Sequence, residues 1–478
     1  MTRRPNVVLI ITDQQRYDTI AALGYEHAVT PNLDRLVHEG VAFTHTFVSA
    51  PSCAPSRASL FTGLYPHTLG VLRNDEVWTH SWVERLADAG YRCVNVGKMH
   101  TYPYEGSVGF HERHAVENKD RGTDRLPFFL DNWDKALWTH GVVKPDRRTL
   151  RDLPDYEERL GAFVWELPEH LHVDNFVGDL ARHWLDAYPQ KPDEPFFLQV
   201  GFPGPHPPYD AVPRWLDEYA DRDLPQPVRS DADLAAQPEP LKELRRTAQS
   251  RDMDSVVHLE DPTPQQTRRQ RQHYYANISM IDEQVGGILD ALEQRGVLDD
   301  TVVMFTSDHG DALNDHGHSQ KWTMYEPSVR VPAIVWGPGR VDQGKTVDSL
   351  ISLIDLGPTI LEFAGIAVPD WMSAQSLMSE LTEETWEERD YVFSEHARDK
   401  ILTGTALMTM VRDRRWKLVE FIDTTEGQLF DLETDPHEEH SVWDDPEHLD
   451  RKREMQSVIA HWRAQTALSS SGWTAPYR

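Results

Sequence analysis

The sequence predicts an α/β fold: a large, mostly parallel central sheet flanked by helices, followed by a small C-terminal α+β domain. Three observations carry this. Short apolar runs bounded by turn residues recur along the 478 residues, helical periodicity fills the intervals, and polar loops follow four of the runs. The runs are VVLII at 7–11, CVNV at 93–96, FFLQV at 196–200, VVMFT at 302–306 and AIVW at 333–336. They are continuous rather than alternating, as in strands buried on both faces of a parallel sheet. Helical patterns at 30–39, 81–89, 273–295 and 348–364 accompany them. Strands alternating with helices give an α/β architecture.

The loops after four runs are ITDQQ, GKMHT, GFPGPHPPYD and SDHGD. In open α/β sheets ligands bind beyond the carboxyl ends of the strands, so these loops are expected to converge on one site. Residues 118–190, rich in charge and in tryptophan (Trp133, Trp138, Trp165, Trp184), and the polar stretch 218–270 read as insertions. Segments of that kind cover or shape a pocket. From about residue 375 the pattern changes to short strand-like runs (YVFSEH, TALMTMVRD, RWKLVEF, GQLFDLE) and a closing helix at 447–466. The expected organisation is a catalytic domain over 1–372 and a small domain over 373–478, with a short antiparallel sheet.

Composition narrows the function classes. A formal net charge of −30 disfavours non-specific nucleic-acid binding and contact with anionic membranes. An anionic substrate must then find a locally basic pocket. Two cysteines, Cys53 and Cys93, make neither a disulfide framework nor a thiolate metal site. No apolar run reaches the roughly 18 residues that span a membrane. The opening MTRRPNVVLIITDQQR lacks the apolar length and cleavage site of a leader. The expectation is a cytoplasmic protein; nothing in the sequence sets its oligomeric state. The Asn277-Ile-Ser sequon falls in a predicted helix and is expected to play no part.

The decisive segment is PSCAPSRASLFTG at 51–63. A lone cysteine beside a helix start is more often a buried structural residue, but here its flanks carry a pattern. Pro55 sits where a first helical turn tolerates proline. Cys53 is then near a helix N-terminus, where free N–H groups and the helix dipole favour an anion. Arg57 follows one turn later, where its fork of donors can neutralise and hold oxygens carried by residue 53. The C-x-P-x-R arrangement, its extension through SRASLFTG and YPHTLGV, and LFDLETDPHEEH near the C-terminus resemble the type I, formylglycine-dependent sulfatases of the alkaline phosphatase superfamily. The resemblance runs from about residue 5 to 440 and implies an alkaline-phosphatase-like fold.

It further implies that a formylglycine-generating enzyme oxidises Cys53 to formylglycine. One hydroxyl of the hydrated aldehyde attacks sulfur, and the other expels sulfate as the aldehyde re-forms; a serine lacks that exit. By the same resemblance Asp13, Gln14, Asp308 and His309 hold one divalent metal ion together with the residue 53 oxygen. Oxygen ligands suit Ca²⁺ or Mg²⁺, whereas the His309 nitrogen moves preference towards Mn²⁺; calcium is the first expectation. Many relatives carry Asp-Asp and Asp-Asn in these pairs, so Gln14 and His309 depart from that pattern. Asp-Gln resembles choline sulfatases and phosphonate monoester hydrolases, and Asp-His occurs in sugar-sulfatase branches.

Family motifs also mark the acid, base and anion clamps. Lys98 and His100 match the K-x-H pair, Lys98 bridging nucleophile and sulfate and His100 taking the proton that drives sulfate out. His206, in PHPPY, binds a sulfate oxygen or protonates the leaving oxygen, held by stiff prolines. Lys321 contacts sulfate and the bridging oxygen, and Asn74 is a substrate contact in some relatives. His316 and His318 read as structural. One oxyanion donor supplies about 2.7–4 kcal/mol of the roughly 8–23 kcal/mol that enzymes remove from a barrier, so several groups must act together. The reading is hydrolysis of a small sulfate ester (sugar, aryl or alkyl). The alternative within the superfamily is a phosphonate monoester or phosphodiester hydrolase, which Gln14 favours and the Lys98–His100 pair opposes. The alternative of another class is a catalytically silent binding protein, which predicts damaged ligands; none is damaged here.

Overall fold

Eight consecutive residues, Asn6–Asp13, form strand β1, and every one is buried. That explains the unbroken apolar run: the strand has no solvent face. In the computed structural model of the chain, which describes residues 4–117, 119, 130–189, 191, 194–382 and 388–469, β1 lies inside a nine-stranded sheet. The other strands are β2 (Val41–Phe47), β3 (Arg92–Gly97), β4 (Glu112–Ala115), β5 (Phe196–Pro205), β6 (Thr301–Ser307), β7 (Arg330–Trp336), β8 (Lys345–Val347) and β9 (Ile351–Ser352). The spatial order is β4-β3-β5-β1-β6-β7-β2-β8, with β9 beside β2.

The four strands whose loops carry polar motifs, β3, β5, β1 and β6, are adjacent and mutually parallel. Their carboxyl ends therefore lie side by side, as the sequence predicts. Strand β7 is antiparallel to both β6 and β2, so β2 again runs in the sense of β6. Its carboxyl end delivers the 51–63 segment to the same edge. β2 was invisible to an apolar-run search because Thr44 and His45 interrupt it at an irregularity between Phe43 and Thr46.

Alternate residues of β1 feed two cores. Val7, Leu9 and Ile11 pack with Ala58, Leu60 and Phe61 of the helix Cys53–Thr62. Val8 and Ile10 pack with Leu33 and Leu36, Val177 and Ala181, and Tyr274, Ile278 and Ile281 from three helices on the opposite face. One of these helices corrects the reading of 118–190 as insertion. Val173–Ala187 is a helix whose Val173, Val177, Ala181 and Leu185, spaced by four, are buried on the face covering β3 and β5. The 218–270 segment is likewise trimmed, because the long helix runs Pro264–Gln294. Its first turns, PQQTRRQRQ, hold no apolar residue and gave no periodicity, yet a Thr263–Gln266 capping box and Pro264 at the first position start it there. The helix expected over 348–364 is shorter: β9 precedes it, and the helix proper is Leu356–Phe363.

The C-terminal strands β10 (Val392–Ala397), β11 (Leu407–Arg412), β12 (Trp416–Phe421) and β13 (Gly427–Asp431) form an antiparallel meander closed by the helix Leu449–Ser469. This sheet shares the first core, since Met408, Met410, Leu418 and Leu429 cluster with Val7 and Leu9. A buried ion cluster joins the two sheets. Glu326 pairs with Arg412 at 3.2 Å and Lys417 at 3.3 Å, and Lys417 meets Glu438 at 2.7 Å. Asn277 is buried in the long helix, out of reach of any modifying enzyme. Among the described residues no helix is long and apolar enough to cross a membrane.

At the end of β3, Gly97 has φ +90°, and a Cβ there would collide with the carbonyl oxygen of Gly201 on β5. This close approach turns the chain so that the Lys98 N–H donates to the Gly201 carbonyl at 2.8 Å. Gly97→Ala combines backbone strain with a steric clash and is expected to lower unfolding free energy by about 2–4 kcal/mol in urea titrations. A loss under about 0.5 kcal/mol would mean that the strand ends part freely.

Candidate active site

Strand β2 ends at Phe47, and after a short turn the chain enters the buried helix Cys53–Thr62. Ser52 is extended and supplies no side-chain cap to it. The cap comes instead from Asn74, whose Oδ1 accepts the Ala54 N–H and the Ser52 hydroxyl, both at 3.1 Å. Asn74, expected as a substrate contact, thus has its carbonyl oxygen engaged behind the nucleophile's helix. Pro55 is the third helical residue, where no backbone donor is needed.

The strand-end loops meet at the Cys53 sulfur. Ligand atoms of Asp13, Cys53, Asp308 and His309 all lie within 4.8 Å of one another, and all four residues are buried. His309 Nε2 is 3.1 Å from Cys53 Sγ, and the sulfur is 3.6 Å from Asp13 Oδ1. His309 Nδ1 faces the Gly310 carbonyl at 2.9 Å, which assigns the proton to Nδ1 in the neutral ring and leaves Nε2 as a donor atom for a metal. Asp308 is held by the Gln14 N–H at 3.0 Å on Oδ1 and by Arg57 Nε at 2.7 Å on Oδ2. Gln14 adopts φ +73°, so its side chain turns back towards the sulfur site. Its Oε1 accepts from Lys321 Nζ at 3.2 Å, and its Nε2 donates to Asp311 at 2.7 Å.

Three cations surround this group. Lys321 Nζ is 2.9 Å from the sulfur. Lys98 Nζ abuts Asp13 Oδ2. Arg57 Nη1 donates to the Lys98 carbonyl at 2.9 Å, so the hydrogen bonds of Arg57 go to Asp308 and Lys98 rather than to position 53. His206 is buried, with Nδ1 2.8 Å from the Pro207 carbonyl and Nε2 3.6 Å from Asp254. His100 has φ +58°, and its N–H donates to Glu117 at 2.8 Å. Its Nδ1 is buried without a hydrogen-bond partner among the described residues.

Sequence reasoning missed several supporting residues. Asp311 ties Gln14 to the Tyr209 hydroxyl, which donates to it at 2.7 Å. Glu117 and Asp254 reach the site from segments with no motif. Only the final Asp of SDHGD offered a signal. His316 and His318 are structural: His316 bonds Asp233 at 2.9 Å and stacks on Tyr325, and His318 faces Gln237 at 3.2 Å. They fasten the 231–237 segment to the loop that bears Lys321.

Comparison with known proteins gives the family of the chain. The family model described as Sulfatase matches residues 5–366, and one described as N-sulphoglucosamine sulphohydrolase, C-terminal, matches 314–465. The chain is 31% identical to an arylsulfatase of Clostridium perfringens, over 95% of this chain and 94% of that protein. It is 30% identical to a choline-sulfatase of Rhizobium meliloti, over 96% and 87%. A crystal structure of the phosphonate monoester hydrolase of Agrobacterium radiobacter superimposes with a TM-score of 0.82 at 26% identity, covering 97% of this chain and 96% of that one. The chain belongs to the sulfatase family. It is a hydrolase of sulfuric esters on the alkaline phosphatase scaffold.

The donor set of this sulfatase fits a divalent ion. Two carboxylates, an imidazole nitrogen and the residue 53 atom face one point. Among the described residues Asp13 Oδ2 is a buried carboxylate oxygen without a hydrogen bond, although Lys98 forms an ion pair with it. Electrostatics point the same way. Burial would raise the Asp13 carboxyl, but Lys98, His206, Lys321 and Arg57 together outweigh it and hold it well below the usual range. Burial and Asp13 push the Cys53 thiol up, yet Lys321, His309 and Lys98 bring it down to about 5. Cys93, buried away from these cations, is pushed up to about 12.

The two thiols should therefore separate in solution. In metal-free protein made without maturation, the ultraviolet thiolate band should titrate with a midpoint near pH 5 and vanish in Cys53→Ala. A midpoint near the ordinary value of about 8.5 would mean that the cations do not act on position 53.

Proposed function

We propose that Cys53 is matured to formylglycine by a formylglycine-generating enzyme and that the site hydrolyses the sulfate ester of a small alcohol, phenol or sugar. The observation that carries this is the burial of Cys53 Sγ among Asp13, Asp308 and His309 with Lys321 at 2.9 Å. Asp13, Gln14, Asp308 and His309 would hold one divalent ion, Ca²⁺ first and Mn²⁺ or Mg²⁺ as alternatives. When bound, the ion supplies fixed positive charge, and formylglycine supplies both the attacking oxygen and the exit route for sulfate.

The chain's own residues do the rest. Lys98 and Lys321 neutralise sulfate oxygens and position them. Arg57 fixes the carboxylates, keeping Asp308 aimed at the ion site. His206 Nε2 protonates the departing oxygen, and His100 accepts the proton whose removal releases sulfate. Asn74 keeps the helix end in place and offers its amide N–H₂ to substrate. Such fixed donors act strongly because the site is dry and no reorganisation is needed. The two free cysteines fit a reducing compartment such as the cytoplasm. The phosphonate monoester reading is favoured by Gln14 and by the structural likeness to such a hydrolase. Assay of matured protein on paired sulfate and phosphonate esters separates the two.

A mass spectrum of the peptide carrying residue 53, from protein co-expressed with a formylglycine-generating enzyme, should show formylglycine. Cys53→Ser or Cys53→Ala should abolish multiple turnover; retained turnover sinks the proposed nucleophile. His100→Ala should release about one equivalent of alcohol in a burst and then stall, because it impairs only the second proton transfer. Normal steady-state turnover in that variant removes His100 from the scheme. Chelation should abolish activity, with recovery on adding Ca²⁺ or Mn²⁺; full activity in metal-stripped protein removes the ligand assignment.

A further inference from the structure

Of the two carboxylates that reach the site from outside every motif loop, Asp254 faces a ring nitrogen. Asp254 Oδ2 lies 3.6 Å from His206 Nε2, at the inner end of the 218–270 segment. The opposite ring nitrogen, Nδ1, is 2.8 Å from the Pro207 carbonyl. A carbonyl only accepts, so Nδ1 carries a proton and Nε2 is the nitrogen left for proton transfer. A bare Nε2 lone pair facing a carboxylate is repelled by it, whereas an Nε2–H is attracted.

The backbone around Asp254 is held in an unusual shape. Asp254 and Ser255 are successive non-glycine residues with φ +56° and +61°. Such conformations persist only where the surroundings fix them, and they gather at functional sites. Here Gln320, next to Lys321, donates to the Met253 carbonyl at 2.9 Å. Arg151 and the Tyr156 hydroxyl both donate to Asp252 at 2.6 Å. Ser255 and Val256 are buried. The turn is thus fastened on both sides, with its carboxylate against His206.

We propose that Asp254 is a positioning residue that orients His206 and favours the Nε2–H form that donates to the departing alcohol oxygen; this rests on the acid role given to His206 above. In the step it serves, the oxygen at position 53, already deprotonated, bonds to sulfur while the sulfur–oxygen bond to the alcohol breaks. The bonding pair passes to the alcohol oxygen, the Nε2–H proton completes the hydroxyl, and the ring is left neutral with its Nδ1 proton. Burial, together with Lys321 and Lys98, holds the His206 ring well below the usual imidazole range, so it rests neutral with its proton on Nδ1; Asp13 and Asp254 act in the opposite sense and favour the charged ring. Asp254 Oδ2 stands 3.6 Å from the nitrogen that donates.

The test uses matured, metal-loaded enzyme and a series of sulfate esters, from 4-nitrophenyl through phenyl to a simple alkyl sulfate. A good leaving group needs no proton and a poor one does. Asp254→Asn, a side chain that tolerates the left-handed backbone, should keep kcat/KM on the nitrophenyl ester within about threefold. It should lose about tenfold or more on the phenyl and alkyl esters, within the range that general acids contribute. Asp254→Glu should recover part of that loss. His206→Ala supplies the reference and should show the same steepened dependence. A uniform loss across the series in Asp254→Asn, or an unchanged slope, overturns the proposal while a steep His206→Ala keeps the acid role. A wild-type slope in His206→Ala overturns both.

Discussion

Two carboxylates, Asp13 and Asp308, stand at the ends of adjacent strands, buried from bulk solvent. Burying an ion costs several kcal/mol unless it is paired and hydrogen-bonded. The compensation is distributed: Arg57 bonds Asp308, Lys98 pairs with Asp13, and Lys321 and His309 close around the sulfur. Each cation arrives from a different loop, so the carboxylates are tolerated only if the whole sheet edge assembles. This mutual dependence makes the site rigid. It also leaves the acceptor oxygens and cations aimed at one point, which is where an ion and a sulfate group are needed.

The remaining architecture serves to keep that edge fixed. The reversal at β7 lets β2 rejoin the common direction and bring Cys53 in beside β6. The close contact at Gly97 sends Lys98 inward. The C-terminal sheet, fused to the first core and pinned through Glu326, steadies the segment that carries Lys321 only five residues earlier. The charges named here stand together in the described residues of the fold. Their order is present in the resting fold, as electrostatic preorganisation requires.

The family and the chemistry were legible in the sequence because both reside in local, linear features. A strand buried on two faces must be continuously apolar, and the family's motif is one contiguous stretch of chain, so VVLII and PSCAPSR speak for themselves. Elements whose burial arises from distant partners stayed hidden or blurred. Strand β2 carries Thr44 and His45, the long helix opens with nine polar residues, and Val173–Ala187 was taken into an insertion.

The sequence by itself determined the α/β class and the sulfatase family, and it named the groups expected around residue 53. Tertiary structure alone decided how those groups are used. It turned Asn74 to cap the Cys53 helix, bound Arg57 to Asp308 rather than to position 53, and brought Asp254 and Glu117 to the two histidines. The physical reason is that a side chain's identity is written in the chain, whereas its hydrogen-bond partner depends on which strands become neighbours. That choice is made by the packing of both faces of the sheet.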